Sequence, residues 1–192
     1  MTTVPFVLPT VVVGGAFAAL ALAHGAVPIM LPIARDSEAD TRQAVENALQ
    51  ADFILSSGGV SVGEYDYIRK VLDDMGSQFK FWRVAMKPGK PLFFCLLQGK
   101  PYFGLPGNPV SSLVCAVIFL RPALAALLGA DAMPGANETA ELGVALPEND
   151  EREDYLRATL ARNGLGRLVG KVFRIGHLGD FSDLMLMGTL SG

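Results

Sequence analysis

Apolar and polar positions alternate along this chain in blocks that predict helix, strand, helix, strand, helix. Ala16 to His24 is rich in Ala and Leu, which favour helix, and Gly25 stands where a C-terminal cap belongs. Ala26–Ala34 follows as a buried strand, and its Pro28 and Pro32 predict an edge or strained position because proline cannot donate to a ladder. Ser37 suits the N-cap of a helix across Glu38–Gln50, with Ala44, Val45, Ala48 and Leu49 facing inward. Asp52–Leu55 reads as a short buried strand. In Tyr65–Met75, Ile68, Val71, Leu72 and Met75 keep the i, i+3, i+4, i+7 spacing of a helix that Gly76 stops. Phe79–Met86 alternates as a strand, and Pro91–Leu97 and Pro101–Phe103 flank Gln98-Gly99-Lys100 as a hairpin. Asn108 caps a helix starting at Pro109, whose fixed φ pre-sets the first turn. Its apolar run, Leu113 to Leu128, predicts a buried helix ended by Gly129. The pattern as a whole predicts an α/β three-layer sandwich with a mostly parallel sheet.

The two ends of the chain depart from this rhythm. Residues 1–13 are β-rich in composition, and no charged residue occurs from Val4 to Ala23, a length that raises a membrane span or an export signal. Pro5, Pro9, Gly14 and Gly15 interrupt that run and no Lys or Arg precedes it, which favours a buried strand–helix start without a membrane partner. After Gly129 the composition turns to Ala, Gly, Pro and Glu, so 130–150 is expected to be a linker. Residues 151–162 contain one expected strand, Tyr155–Leu160, and 163–192 form a separate tail. The expected domain is therefore 1–129, with a short β or irregular extension.

Bulk properties narrow the classes further. With 192 residues the chain is long enough for one domain with additional pieces, and a net charge of −3 provides no basic field for nucleic acid. Cys95 and Cys115 lie inside apolar runs, as buried thiols of a reducing compartment do, and the expected location is the cytoplasm. His24 and His177 are too far apart in sequence to support a zinc site or a histidine-based triad.

Chemistry concentrates in three glycine-punctuated turns. They are Ser56-Ser57-Gly58-Gly59-Val60-Ser61-Val62-Gly63, Lys87-Pro88-Gly89-Lys90-Pro91 and Gly104-Leu105-Pro106-Gly107-Asn108-Pro109. Each follows or joins an apolar run, and in a β/α pattern such turns fall at the strand ends where open parallel sheets bind ligands. Free backbone N–H groups and two lysines suit an anion, above all a phosphate. Asp36 and Asp66 follow strand-end positions, where an acid serves either a ligand or the N-terminus of the next helix.

Three segments, SSGGVSVGEYDYIRKVL, FWRVAMKPGKPLFF and YFGLPGNPVSSLVCAVIFLRPAL, together resemble molybdopterin molybdenumtransferase, the MoeA/gephyrin E-domain family. The resemblance covers about residues 16–129, with a weaker continuation at Glu151–Leu160 that is similar to the first strand of the family's final barrel. It implies a transferase of molybdenum-cofactor synthesis that uses Mg²⁺ to insert molybdate into adenylylated molybdopterin with release of AMP. Asp36 and Asp66 match the acidic residues of the metal and molybdate side. Ser57, Gly58, Gly59 and Ser61 match its backbone-donor loop. Lys87 and Lys90 match its basic residues, with Lys87 on the catalytic side, and Pro106, Gly107, Asn108 and Pro109 match its closing loop. Arg83 stands where some members carry lysine, a change that keeps the charge and alters the contact geometry.

The departures from the family carry their own expectations. Its acidic Thr-Gly-Asp-Glu turn has no counterpart in residues 1–25, and its large N-terminal domains and most of its barrel have no counterpart here. The resemblance thus implies transfer activity impaired by truncation, with a non-catalytic molybdopterin-binding module or a scaffold and dimerisation module as the alternatives. A missing first strand is expected to leave an unpaired sheet edge, which favours a homodimer. Finally, Gly170–Gly192 is similar to the near-C-terminal segment of class V (serine–glyoxylate) aminotransferases, with Arg174 at the position of a carboxylate-binding arginine. No pyridoxal phosphate is expected, because the chain has no room for the large domain that would surround it.

Overall fold

A computed structural model of the chain describes residues 3–7, 11–59, 67–130, 151–160 and 170–173. It divides into two compact units: residues 1–84 with 89–132, and residues 85–88 with 133–192.

The first unit is built on a six-stranded sheet. Its strands are β1 (Thr3–Val7), β2 (Val27–Leu31), β3 (Ile54–Ser57), β4 (Gln78–Trp82), β6 (Phe93–Leu97) and β7 (Lys100–Leu105); the intervening β5 (Met86–Lys87) belongs to the second unit. The order across the sheet is β2-β1-β3-β7-β6-β4. β1 pairs in parallel with β2 and β3, and β3 with β7, whereas β6 runs antiparallel to both β7 and β4. One strand of six thus opposes the rest, and the sheet is mostly parallel. β2 lies at the edge, where its Pro28 costs no internal ladder bond.

The unpaired edge expected from a missing first strand is not found. Thr3–Val7 forms an interior strand, in register with Val27–Leu31 on one side and with Leu55 and Ser56 on the other. The uncharged N-terminal stretch therefore divides into β1 and helix α1 (Val11–Ala23). α1 buries Val13, Phe17 and Ala21, spaced four apart on one face, and the His24 ring closes its end against the Leu20 carbonyl at 2.8 Å.

Helices cover both faces of the sheet. α2 (Glu38–Ala48) and α3 (Tyr67–Asp74) pack together on one face, and α1, α4 (Pro109–Cys115) and α5 (Arg121–Leu127) share the other. Under α2 and α3, Val45, Ala48, Ile68, Val71 and Leu72 meet Ile54, Phe93, Cys95, Leu97 and Tyr102 from the strands. On the far face Phe94 stacks on Phe103 at 4.6 Å between centroids, and Phe81 reaches Phe119. The period-two alternation of β6 and β7 thus feeds two separate aromatic layers.

Local chemistry fixes several boundaries. Ser37 Oγ accepts from the Asp40 N–H at 3.1 Å, the expected cap of α2, and Lys100 Nζ donates to the Leu49 and Ala51 carbonyls at that helix's other end. Gln98 and Gly99 both have positive φ, 51° and 79°, as a two-residue hairpin turn requires. The strand expected over Phe79–Met86 stops at Trp82, because Arg83 adopts φ 78° and leaves the ladder direction. Between α4 and α5 the helix widens into a π-helical segment, Ala116–Leu120, just ahead of Pro122. Pro122 has no N–H for the usual bond four residues back, and the wider turn accommodates the lost donor.

The expectation that this last helix is buried needs correction. Val114, Cys115, Ala116, Leu120 and Leu124 are buried, but Val110, Leu113, Leu127 and Leu128 are exposed. The run Pro109–Leu127 is long and apolar enough to cross a membrane by length and composition alone, and here it forms part of the helical layer against α1.

In the second unit β5 (Met86–Lys87) pairs in parallel with β8 (Glu153–Asp154), and β9 (Arg157–Leu160) pairs antiparallel with β10 (Gly170–Phe173). The strand expected over Tyr155–Leu160 is found as β9 from Arg157, and β8 precedes it. The proposed linker beyond residue 130 and the aminotransferase-like segment beyond Phe173 lie outside the described residues.

Candidate functional site

The strand order 2-1-3 reverses direction at β1, and crevices for ligands open at the carboxyl ends of the strands beside such a switch. A cleft lies there, with about 120 Å³ of accessible space, enough for several waters. One wall is Ile33–Asp36, the chain leaving β2. The facing wall is Ser56–Gly59, the chain leaving β3, with Tyr67 and Ile68 of α3 and Tyr102 of β7.

The β3 loop is held by the β7 loop. Gly58 N–H donates to the Leu105 carbonyl at 3.0 Å, and the Ser57 hydroxyl donates to the Pro106 carbonyl at 3.0 Å. The Ser112 hydroxyl of α4 donates to that same carbonyl and lies 3.3 Å from Ser57 Oγ. A Cβ on Gly107 would stand 3.4 Å from Gly58 Cα, so the two backbones touch directly. Gly58 and Gly59 have φ of 89° and 66°, a region that penalises any side chain. Asn108 completes the frame by capping α4, its Oδ1 accepting from the Ser111 N–H at 3.1 Å with Pro109 next in the helix.

Beneath this frame the β-strands carry a ladder of rings. Trp82 stacks on Phe93 at 4.8 Å, Phe93 on Tyr102 at 5.6 Å, and the Arg69 guanidinium covers Trp82 at 4.6 Å. Gly104 makes room for it: a Cβ there would fall 1.9 Å from Phe93 Cε1.

The sequence-predicted residues are distributed unevenly. Asp36, Ser57, Gly58 and Gly59 line the cleft, and Pro106 and Gly107 build the loop behind it. Ser61 and Asp66 lie outside the described residues. Lys90 belongs to the first unit, where its carbonyl accepts from Val84 N–H at 3.0 Å. Lys87 belongs to the second, with Nζ 3.9 Å from Asp154 Oδ2 and its carbonyl accepting from Tyr155 N–H. Arg35, Tyr67 and Tyr102 also line the cleft and were not among the sequence-predicted residues, and Ser56 was named only as part of the first glycine turn. Among the described residues, Arg35 is the one cation and Asp36 the one carboxylate of the cleft lining.

Protonation follows burial. Desolvation raises the Tyr102 phenol above its usual range, partly offset by the neighbouring Ser56 hydroxyl, so Tyr102 is a neutral hydrogen-bonding group. Ser56 Oγ itself is buried with no partner in hydrogen-bond geometry. No cluster of three or more His, Cys, Asp or Glu side chains occurs among the described residues. Asp36 alone is a hard oxygen donor of the kind Mg²⁺ accepts when phosphate oxygens and waters complete its shell.

Fold and cleft together define a doubly wound α/β domain with a cleft at the strand-order switch. A family model described as "Probable molybdopterin binding domain" matches residues 13–126, and the chain belongs to that family. Molybdopterin molybdenumtransferase of Haemophilus influenzae is 45% identical over 102 residues, which make up 53% of this chain and 25% of that protein. The molybdenum cofactor synthesis protein cinnamon of Drosophila melanogaster is 45% identical over 80 residues, 42% of this chain and 13% of its own. Among solved structures, the molybdopterin biosynthesis moeA protein of Pyrococcus horikoshii superposes with a TM-score of 0.68 at 22% identity, covering 94% of this chain and 52% of that one. That likeness bears on the fold. The chain spans about a quarter of the length of the transferases it matches.

Proposed function

We propose that this chain is the molybdopterin-binding part of a molybdenum-cofactor synthesis enzyme, which inserts molybdate into adenylylated molybdopterin and releases AMP. The observation that carries the reading is the cleft at the β2 and β3 ends, built by the glycine loop that also carries the family likeness. In this reading the Gly58–Gly59 backbone faces the ligand's phosphate, and Lys90 neutralises it. Ser57 and the loop Pro106–Pro109 shape the wall, and Ser61 is assigned to the ligand by the family resemblance alone. Asp36 and Asp66 would hold Mg²⁺, which when bound supplies charge neutralisation at phosphate and molybdate oxygens. We place the protein in the cytoplasm, which its buried free thiols support, and without a nucleic-acid partner, which its net charge of −3 supports. The further proposals of a homodimer and of no membrane partner rest on the family resemblance and the chain's sequence pattern.

A second reading, a molybdopterin-binding module without catalysis, is favoured by one feature. After β1 the chain continues Leu8-Pro9-Thr10, with no carboxylate where the family's acidic turn would stand. Calorimetric titration of the full chain with adenylylated molybdopterin, with and without Mg²⁺, separates the cases when paired with a molybdate-dependent AMP-release assay. Binding with release supports the transferase, and binding without release selects the module. No binding by folded protein rejects both. Asp36→Asn is expected to remove the Mg²⁺ dependence of binding and leave the melting temperature unchanged.

A further inference from the structure

Two polar groups of the cleft are left without partners, and they differ in depth. Arg35 is exposed on the β2 wall, and no hydrogen bond or ion pair holds its guanidinium among the described residues. Arginines of the adjoining helices are treated differently: Arg42 pairs with Asp74 and Arg69 with Asp73, each at 3.0 Å. Ser56, by contrast, is only 6% exposed, and its Oγ makes no hydrogen bond of good geometry even with the Tyr102 phenol beside it. An unbonded buried hydroxyl is unfavourable unless something that binds there completes it. Both residues line the 120 Å³ cleft, and its lining holds no other cation among the described residues.

We propose that Arg35 and Ser56 form a two-point recognition site for a phosphorylated ligand, the guanidinium pairing with its phosphate and the Ser56 hydroxyl bonding a polar atom further along it. Guanidinium and phosphate match as charge-assisted, bidentate partners, which a lysine reproduces only in charge. This assignment rests on the reading of the cleft as the ligand site. It moves the principal phosphate contact from Lys90 to a residue that leaves the edge strand.

Calorimetry on the full chain tests it, with wild type, Arg35→Ala, Arg35→Lys and Ser56→Ala titrated against adenylylated molybdopterin, molybdopterin, AMP and inorganic phosphate. Arg35→Ala is expected to weaken the phosphorylated ligands about ten- to a hundredfold at unchanged melting temperature, with partial recovery in Arg35→Lys. Rising salt should weaken wild type more steeply than Arg35→Ala. Ser56→Ala is expected to lose about three- to tenfold in affinity while melting no lower than wild type. Equal affinity of wild type and Arg35→Ala for adenylylated molybdopterin overturns the inference and leaves the molybdopterin reading intact. Arg35-dependent binding of AMP or phosphate with no response to either pterin does the opposite. Binding of none of the four by folded protein overturns both. A lower melting temperature with unchanged affinity in Ser56→Ala makes its hydroxyl structural and removes that half of the site.

Discussion

Ser112 and Ser56 are both buried at the carboxyl end of the sheet, but the surroundings use their hydroxyls in opposite ways. Ser112 is fully enclosed and donates to the Pro106 carbonyl beside Ser57, joining the β7 loop to α4. Ser56, one residue before Ser57, is nearly as enclosed, and its Oγ makes no hydrogen bond of good geometry, with the Tyr102 phenol beside it. One region is a finished frame, with its polar groups satisfied within the chain. The other leaves a buried hydroxyl unbonded, which the proposed ligand would complete. Ser77 Oγ is also buried without a hydrogen bond of good geometry, so it is the place of Ser56 in the cleft lining, together with its open hydroxyl, that sets it apart from Ser112.

Alkali gives the largest expected effect, and it falls on the frame. Desolvation raises the Cys95 and Cys115 thiols from 9.0 to about 12. The unfolded chain loses these protons near pH 9 while the folded chain keeps them, so stability falls as pH rises from 9 towards 12. The loss is at most about 1.4 kcal/mol per pH unit for each thiol, with Tyr102 acting in the same direction. Urea titrations at pH 8 and pH 11 check this, and Cys95→Ala with Cys115→Ala should flatten the slope. A pH-independent midpoint would show that the thiols are not enclosed.

Gly104→Ala comes next, because its new methyl meets the Phe93 ring and disturbs the stack from Trp82 to Tyr102. A loss of about 3 kcal/mol is expected by denaturant titration. Ser112→Ala should cost about 1–2 kcal/mol, leaving Pro106 with the Ser57 donor alone. The sharpest contrast has the smallest magnitude: Ser56→Ala is expected to stabilise the ligand-free protein by about 1 kcal/mol or less, since it removes an unbonded buried hydroxyl. Losses of the same sign and size in both serine variants would erase the distinction between frame and site.

Much of the fold was legible because its signals are local. The Ser37 and Asn108 caps, the Gln98-Gly99 turn and the edge preference of Pro28 each depend on neighbours within a few residues, and each stands where expected. β1 was less legible. Its composition suggested a strand, but its interior place comes from pairing with residues some 25 and 50 positions away. The π-helical segment needed a link between Pro122 and the preceding turn that apolar periodicity does not carry. Partial exposure of the last helix was hidden because an apolar run records no direction.

The site divides in the same way. Glycine turns announced the β3 and β7 loops, and Asp36 was found by its position after a strand. Arg35 was passed over as its neighbour, because its place on the cleft wall depends on how the β2 end faces the β3 end. Tyr102 resembled any core aromatic of a hairpin strand, and only the packed sheet brings it under the loop. Lys87 and Lys90 seemed one basic turn, yet they belong to two compact units, since β5 pairs with β8 instead of extending β4.

The most direct test is an amide-resolved NMR titration of the full chain with adenylylated molybdopterin. The account predicts saturable shifts concentrated in residues 33–36 and 56–59, with the amides of the Gln98-Gly99 hairpin unmoved. Saturable shifts centred elsewhere, or none in a folded protein, would contradict the assignment of this cleft as the ligand site.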